Sequence, residues 1–337
     1  MACIDNNLLR QPSPKTMRTA KTAEDLTDSH RAASKSTAPK RRKSSVAPMS
    51  AEIAITHPDR VVFPDDGITK QDVADYYAIV MKWFLPGVVN RPTSVIRCPE
   101  GMAKDCFFQK HMITGLKHVG VVNLKEESGT RATYIYPQDA DSVLELVQFG
   151  ALEFHPWGAT VDRSELADRV IFDLDPGDNV PWPRVVAAAR LLRKLLAQSG
   201  LESFVRTTGG KGLHVVVPLK PGCAWPQVKD FAQVFAFRLA QAHPEEFIAT
   251  ATKAQRSGKI YLDYLRNSRG ATSVASYSLR ARAGAPVAMP LRWSELGKLK
   301  SGHDFDIHTA PKRLARLRSD PWAGIDEVRQ RISKKSG

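Results

Sequence analysis

Asp173 and Asp175 stand two residues apart near the end of the run Arg169-Val-Ile-Phe-Asp-Leu-Asp-Pro-Gly177. Alternation along this run predicts a strand, with Val170, Phe172 and Leu174 on one face and Ile171, Asp173 and Asp175 on the other. A rise of about 3.3 Å per residue sets the two carboxylates roughly 6 to 7 Å apart at the backbone, pointing the same way, a spacing that suits one or two hard cations held by oxygen. Pro176 and Gly177 end the strand and leave the pair at its carboxyl edge, where open α/β sheets bind ligands. Turn-forming aspartates beside Pro-Gly give the same pattern, so the pair needs partners before it means chemistry.

Two further segments supply them. Arg206-Thr-Thr-Gly-Gly-Lys-Gly-Leu-His214 lies between two predicted strands. Its glycines, Gly209 among them, let backbone N–H groups approach an anion, and Thr207, Thr208, Lys211 and His214 add side-chain donors suited to a triphosphate. The spacing is not that of a Walker A loop, and a plain glycine-rich hairpin with a structural histidine is the simpler alternative. Downstream, Tyr261-Leu-Asp-Tyr-Leu-Arg266 places one acid, Asp263, among apolar neighbours, where it requires a pairing arginine (Arg266 or Arg269) or a metal. Three acids on two strands would complete a two-metal site for nucleotidyl transfer. Arg266, Arg269, Arg280 and Arg282 are cationic groups able to meet phosphate.

The elements that position these residues are legible in outline. Thr69-Lys-Gln-Asp72 resembles a capping box, opening a helix with Val73, Tyr76, Tyr77, Val80 and Phe84 at helical spacing and stopped by Pro86. Further helices are predicted over 181–199 and 225–242, and strands over 94–97, 132–135, 170–175, 203–207, 213–218 and 260–265. Helices interspersed with strands indicate an α/β or α+β core. Ordered patterning runs from about Ile53 to Ile332 as one compact unit, so residues 51–337 read as a single catalytic-sized domain.

The 337 residues carry a net charge of +14 with 42% hydrophobic content, a globular chain whose basic excess points to nucleic acid. Residues 1–50 hold ten Lys or Arg against four acids and peak in Lys40-Arg-Arg-Lys43, reading as a disordered basic arm. The rest still carries +8. No apolar run reaches the roughly 20 residues of a membrane span, and no secretory signal opens the chain, which suggests a cytoplasmic protein. Cys3, Cys98, Cys106 and Cys223 form no C-x-x-C pair and are read as reduced packing residues.

Together these segments resemble the polymerase domain of bacterial ligase D, within the archaeo-eukaryotic primase superfamily. The resemblance runs from about Ile53 to the end and rests on His57-Pro-Asp-Arg60, Phe63-Pro64, Gly67-Ile-Thr-Lys70, Phe107-Phe-Gln-Lys-His111, Leu152-Glu-Phe-His155, Phe172-Asp-Leu-Asp-Pro176, Thr208-Gly-Gly-Lys-Gly-Leu-His214 and Asp263-Tyr-Leu-Arg-Asn267. It implies a two-lobed, primase-like core with central mixed β-sheets flanked by helices. It further implies that Asp173, Asp175 and Asp263 are the catalytic, metal-binding acids, holding two ions, Mn2+ or Mg2+. Nucleotide binding would fall to His155 near the sugar or primer end, and to Thr208, Gly209, Lys211, His214 and Arg280 at the phosphates. DNA would be met by Phe107 and Phe108, stacking on the template, by Arg266, and by a 5′-phosphate pocket of His57, Arg60 and Lys70. Serine is common in the family at the place of Thr208, asparagine at that of His57 and lysine at that of Arg60; each exchange keeps a hydrogen-bonding group.

The implied function is template-directed addition of nucleotides, ribonucleotides by preference, to a primer 3′-hydroxyl, filling gaps and processing ends in non-homologous end joining. The implied partners are DNA with 5′-phosphorylated gaps or broken ends, nucleoside triphosphates, Ku and a DNA ligase, within a nucleoid-associated cytoplasmic setting. A non-catalytic DNA-end-binding module would account for the charge but not for three acids where DNA should lie. A stand-alone primase is the other alternative. The chain shows no K-x-D-G ligase motif, so it reads as a polymerase without a ligase, stand-alone or part of a longer protein.

Overall fold

The amino-terminal part of the fold is built around one capped helix. The computed structural model describes residues 53–126 and 128–332, and the arm expected over residues 1–50 lies outside them. Strands β1 (Val61–Phe63) and β2 (Ile68–Thr69) pair antiparallel and deliver the chain into α1 (Lys70–Phe84). The capping box forms as expected: the Thr69 side chain accepts from the Asp72 N–H, and the Asp72 carboxylate accepts from the Thr69 N–H at 2.8 Å. The stripe Val73, Tyr76, Tyr77, Val80 and Phe84 is buried. Two tyrosines on it reach across the molecule, Tyr76 to the carbonyl of Tyr277 and Tyr77 to that of Leu152, each at 2.7 Å.

After α1 come β3 (Thr93–Arg97), β4 (Phe107–Gln109), β5 (Gly120–Lys125), β6 (Arg131–Tyr136), α2 (Ala140–Gln148) and β7 (Ala151–Pro156). They make a three-stranded antiparallel sheet in the order β4-β3-β7 and a β5-β6 hairpin. One sequence expectation fails here. The sequence reads Cys98 and Cys106 as reduced packing residues, but they form a disulfide with Cα atoms 4.4 Å apart, while Cys223 is free. The turn from β3 to β4 folds the chain back on itself, bringing together cysteines whose spacing resembles no compact motif. The bridge closes the loop from which the Phe107-Phe108 strand emerges.

The second part supplies the site. In chain order it contains β8 (Leu166–Pro176), α3 (Trp182–Gln198), β9 (Phe204–Thr207), β10 (Leu213–Ala224), α4 (Trp225–Ala242), β11 (Phe247–Ile248), β12 (Ile260–Asp263), β13 (Pro290–Leu291) and α5 (Thr309–Leu314). The strands form one six-stranded sheet ordered β11-β12-β8-β10-β9-β13, antiparallel throughout except for the β11–β12 pair, and therefore mixed. Helices α3 and α4 cover one face, where Val170, Phe172 and Leu174 are fully buried and Phe172 packs on Phe235 with ring centroids 5.2 Å apart. At about 25 cal/mol per Å2 of apolar surface, burying such side chains drives the docking of helices on sheet. The other face carries Asp173 and Asp175, as the alternation requires.

β12 is shorter than its sequence suggests. Its pattern predicts an extended chain to Leu265, but the chain turns after Asp263 into a short 3-10 helix over Leu265–Asn267. The Asp263 carboxylate accepts from the Leu265 N–H at 2.9 Å, and the Asn267 amide takes over the pairing with β8, accepting from and donating to the Ile171 backbone, both at 2.8 Å. This turn swings Arg266 back over the acids.

Candidate active site

Strand register builds the site. Asp263 on β12 pairs with Asp173 on β8, Asp173 with His214 on β10, and His214 with Arg206 on β9. Directly opposed residues share a sheet face, so four charged or polar side chains form a row across four strands. Asp175 lies two residues beyond Asp173, at the open edge, with its carboxylate half exposed.

The row is stitched together. Arg206, buried, donates from Nε and from its terminal nitrogen Nη2 to His214 Nδ1, at 3.2 and 3.1 Å. A guanidinium only donates, so His214 Nδ1 must be the lone-pair nitrogen and Nε2 carries the proton toward Asp173, 3.5 Å away. Burial first, aided by the Arg206 charge and opposed by Asp173, pushes the His214 imidazole down to about 4, which agrees with a neutral ring. Burial alone would raise the Asp173 carboxyl, but His214, Arg266 and Arg280 outweigh it and hold the group below the usual carboxylate range. Asp175 and Asp263 move the other way. Burial raises both, and the Asp173 charge raises them further against the opposing arginines.

Two guanidiniums sit among these acids: Arg266 Nε lies 3.2 Å from Asp263 and 3.5 Å from Asp173, and Arg256 lies 3.1 Å from Asp175. Among the described residues no three acidic, imidazole or thiol groups are already gathered as a metal-ligand cluster. The donor set nonetheless fits divalent cations: hard oxygens on register neighbours, mutually repelling and balanced by arginines, are what such ions bind.

Beside the row, residues 207–213 form the glycine-rich loop that the sequence marks as a candidate anion cradle. The Thr208 hydroxyl donates to the Gly212 carbonyl at 3.1 Å and accepts from the Gly210 N–H at 3.2 Å, so it shapes the loop from within. Gly209 has φ +65°, and a Cβ at Gly212 would collide with the Leu174 carbonyl, so these glycines let the loop lie against β8. Lys211 is mostly exposed and 3.4 Å from Asp178, free to turn toward a ligand. The resulting cavity, about 330 Å3, is lined by His155, Asp173, Asp175, Thr208, Lys211, His214, Arg266, Arg280 and Arg282. His155, from β7, meets Glu153 at 2.8 Å, and Arg280 meets the same carboxylate at 2.8 Å.

The remaining sequence candidates lie on other elements. Phe107 and Phe108 project from the edge strand β4, 41% and 42% exposed, so neither is a core residue; the Phe108 ring lies 5.8 Å from that of His155. Lys70, at the first turn of α1, donates to the Thr56 carbonyl at 3.0 Å and to Gln148 at 2.7 Å. Its N–H bonds the Arg60 carbonyl, while the Arg60 N–H bonds that of His57, so backbone hydrogen bonds link the three in series. Arg269 pairs instead with Glu165. Sequence reasoning gave no role to Glu153, Arg206 or Arg256; a hairpin register from Thr207 to Leu213 would have placed Arg206 opposite His214.

The match to a family model described as the LigD primase-polymerase domain spans residues 69–322 and takes in the three acids, the glycine-rich loop and the arginines around them. The chain belongs to that family. It is 40% identical over 286 residues to the multifunctional non-homologous end joining protein LigD of Pseudomonas aeruginosa, covering 84% of this chain and 34% of that protein. To the bifunctional non-homologous end joining protein LigD of Bacillus subtilis it is 31% identical, covering 79% of this chain and 43% of the relative. The chain thus spans about a third of the first of these relatives and less than half of the second. Among solved structures, the polymerase domain of Mycobacterium tuberculosis ligase D in complex with DNA superposes with a TM-score of 0.75 at 32% identity, covering 82% of this chain and 99% of that one. The mixed α/β architecture is therefore that of a LigD polymerase domain.

Proposed function

We propose that this domain is a template-directed nucleotidyltransferase that extends a primer 3′-hydroxyl with nucleoside triphosphates, serving gap filling and end processing in non-homologous end joining. The observation that carries the reading is the opposition of Asp263 to Asp173, beside a glycine cradle and a cavity edged by Lys211, Arg280 and Arg282. Asp173, Asp175 and Asp263 would hold the two divalent ions, Mn2+ or Mg2+, which when bound lower the pKa of the attacking hydroxyl and offset charge on the triphosphate. Lys211, Arg280 and Arg282 oppose the phosphate charge, and Thr208 with Gly209 keeps the loop open to phosphate oxygens. His214 acts as a brace: both ring nitrogens face protein groups, so a phosphate would compete with Asp173 for its Nε2–H. Phe107 and Phe108, exposed on their edge strand, offer stacking surface to a template strand.

The relatives are named for non-homologous end joining, so Ku and a DNA ligase are the partners proposed here, in the cytoplasm around the nucleoid, with a preference for ribonucleotides. Among the described residues no helix is long and apolar enough to cross a membrane. The test is extension of a gapped duplex with manganese, with and without a 5′-phosphate, comparing ribo- and deoxyribonucleotides. Incorporation should vanish in the Asp173→Ala, Asp175→Ala double variant; undiminished incorporation would sink the assignment.

A further inference from the structure

Glu153 is 2% exposed, yet its carboxylate is bonded by two side chains that line the cavity, those of His155 and Arg280. On β7 it shares a face with His155, two residues on, while Leu152 and Phe154 between and beside them are buried in the core. Its Oε2 accepts from His155 Nε2 at 2.8 Å and from Arg280 Nε at 2.8 Å, and its Oε1 accepts from the Ala281 N–H at 2.7 Å. Arg280 in turn donates to the Thr208 carbonyl, joining the carboxylate to the phosphate cradle. Burial works against ionisation, but Arg280 and His155 outweigh it and hold the Glu153 carboxyl at about 2.

We infer that Glu153 is the positioning residue of the nucleotide site: one buried carboxylate fixes both the tautomer of His155 and the direction of the Arg280 guanidinium. The inference rests on the nucleotidyltransferase reading. An ionised carboxylate accepts only, so the His155 nitrogen facing it carries the proton. His155 Nδ1 is left with its lone pair, able to accept from a hydroxyl and unable to donate to a phosphate. Arg280 is held by its Nε edge and by Thr208, so it cannot swing with the ligand, and the ordering cost is met before the nucleotide arrives.

A carboxylate is the group this node requires. A glutamine side chain in its place would keep the shape but replace one acceptor oxygen by an amide NH2. With its oxygen kept on the Ala281 N–H, the NH2 would face two donors, and His155 would have to change tautomer while Arg280 lost its anchor.

The experiment compares wild type with Glu153→Gln and Arg280→Ala, singly and together. Titration calorimetry with ATP and Mn2+ reads nucleotide affinity, primer extension reads KM and kcat, and nitrogen NMR of the imidazole reads the His155 tautomer. Glu153→Gln should weaken nucleotide binding roughly 10- to 100-fold, chiefly through KM, with affinity for primed template unchanged. The double variant should be no worse than the weaker single one, because the two residues act as a unit. Wild-type nucleotide affinity in Glu153→Gln, additive losses in the double variant, or a wild-type His155 carrying its proton on Nδ1 would each overturn the inference. The last readout needs only the wild-type protein, so a variant that fails to fold does not spare it. Should wild type bind nucleotide but never incorporate it, the polymerase reading fails while the affinity comparison still tests Glu153.

Discussion

Asp263 and Asp173, ninety residues apart in the chain, are directly opposed on adjacent antiparallel strands and share one guanidinium, that of Arg266. Two carboxylates at such a pairing repel, and Asp263 is raised by burial and by Asp173 despite Arg266. Arg266 therefore supplies the positive charge that the two carboxylates share. Replacing it with alanine should lower stability in chelator by roughly 1–3 kcal/mol, the cost of leaving a buried group without its partner. Manganese should restore more stability to Arg266→Ala than it adds to wild type, because an ion then meets unopposed acids. Thermal melting with and without metal checks this, and identical metal-induced shifts in both proteins would refute it.

A second ion-pair node, away from the cavity, should set the acid limb of stability. Asp168 is bound by Arg91 and by Arg169 Nε at 2.7 Å. Burial opposes its ionisation, but the Arg169 and Arg91 charges prevail and bring it from 3.8 to about 2. A folded-state pKa below the unfolded one means stability that is complete above about pH 4 and is lost as pH falls toward 2. The contribution is on the order of 2 kcal/mol. Asp168→Asn should be clearly destabilised at pH 6, since it leaves Arg91 buried without its partner charge. The gap between variant and wild type should narrow as pH falls from 4 to 2 in urea unfolding; a gap independent of pH would contradict the assignment.

Local physics made much of this legible. The alternation of β8 placed both acids on one face, the Thr69-Asp72 box opened α1, and the glycines of 209–212 marked a close backbone approach. What stayed hidden was set by pairings between distant segments. Glu153 is only the second residue of the Leu152-Glu-Phe-His155 segment, without a role of its own, until Arg280, 127 positions later, arrives beside it. β12 stops at Asp263 because Asn267 satisfies Ile171, 96 positions earlier, and no propensity reports that bond. The Cys98–Cys106 bridge likewise depends on how β3 turns into β4. For the proposed 5′-phosphate pocket, the resemblance names the residues and the fold shows how the environment of one of them, Lys70, shifts its charge.

Lys70 is buried, and its ammonium is held by two neutral acceptors, the Thr56 carbonyl and Gln148. Burial first, then the Arg60 charge, lowers its pKa from 10.5 to about 8. The folded protein thus sheds this proton before the unfolded chain does, so stability rises between about pH 8 and 10.5 while the positive charge is lost. A phosphate dianion at the α1 N-terminus would gain from that charge below pH 8 and not above it. The preference for a 5′-phosphorylated over a 5′-hydroxyl gap, taken as a ratio of dissociation constants, should therefore fall roughly 3- to 10-fold between pH 7 and 9. Lys70→Met should show the low preference at both pH values while retaining affinity for the unphosphorylated gap. A preference in Lys70→Met equal to that of wild type would remove Lys70 from the pocket and leave phosphate recognition to His57 and Arg60.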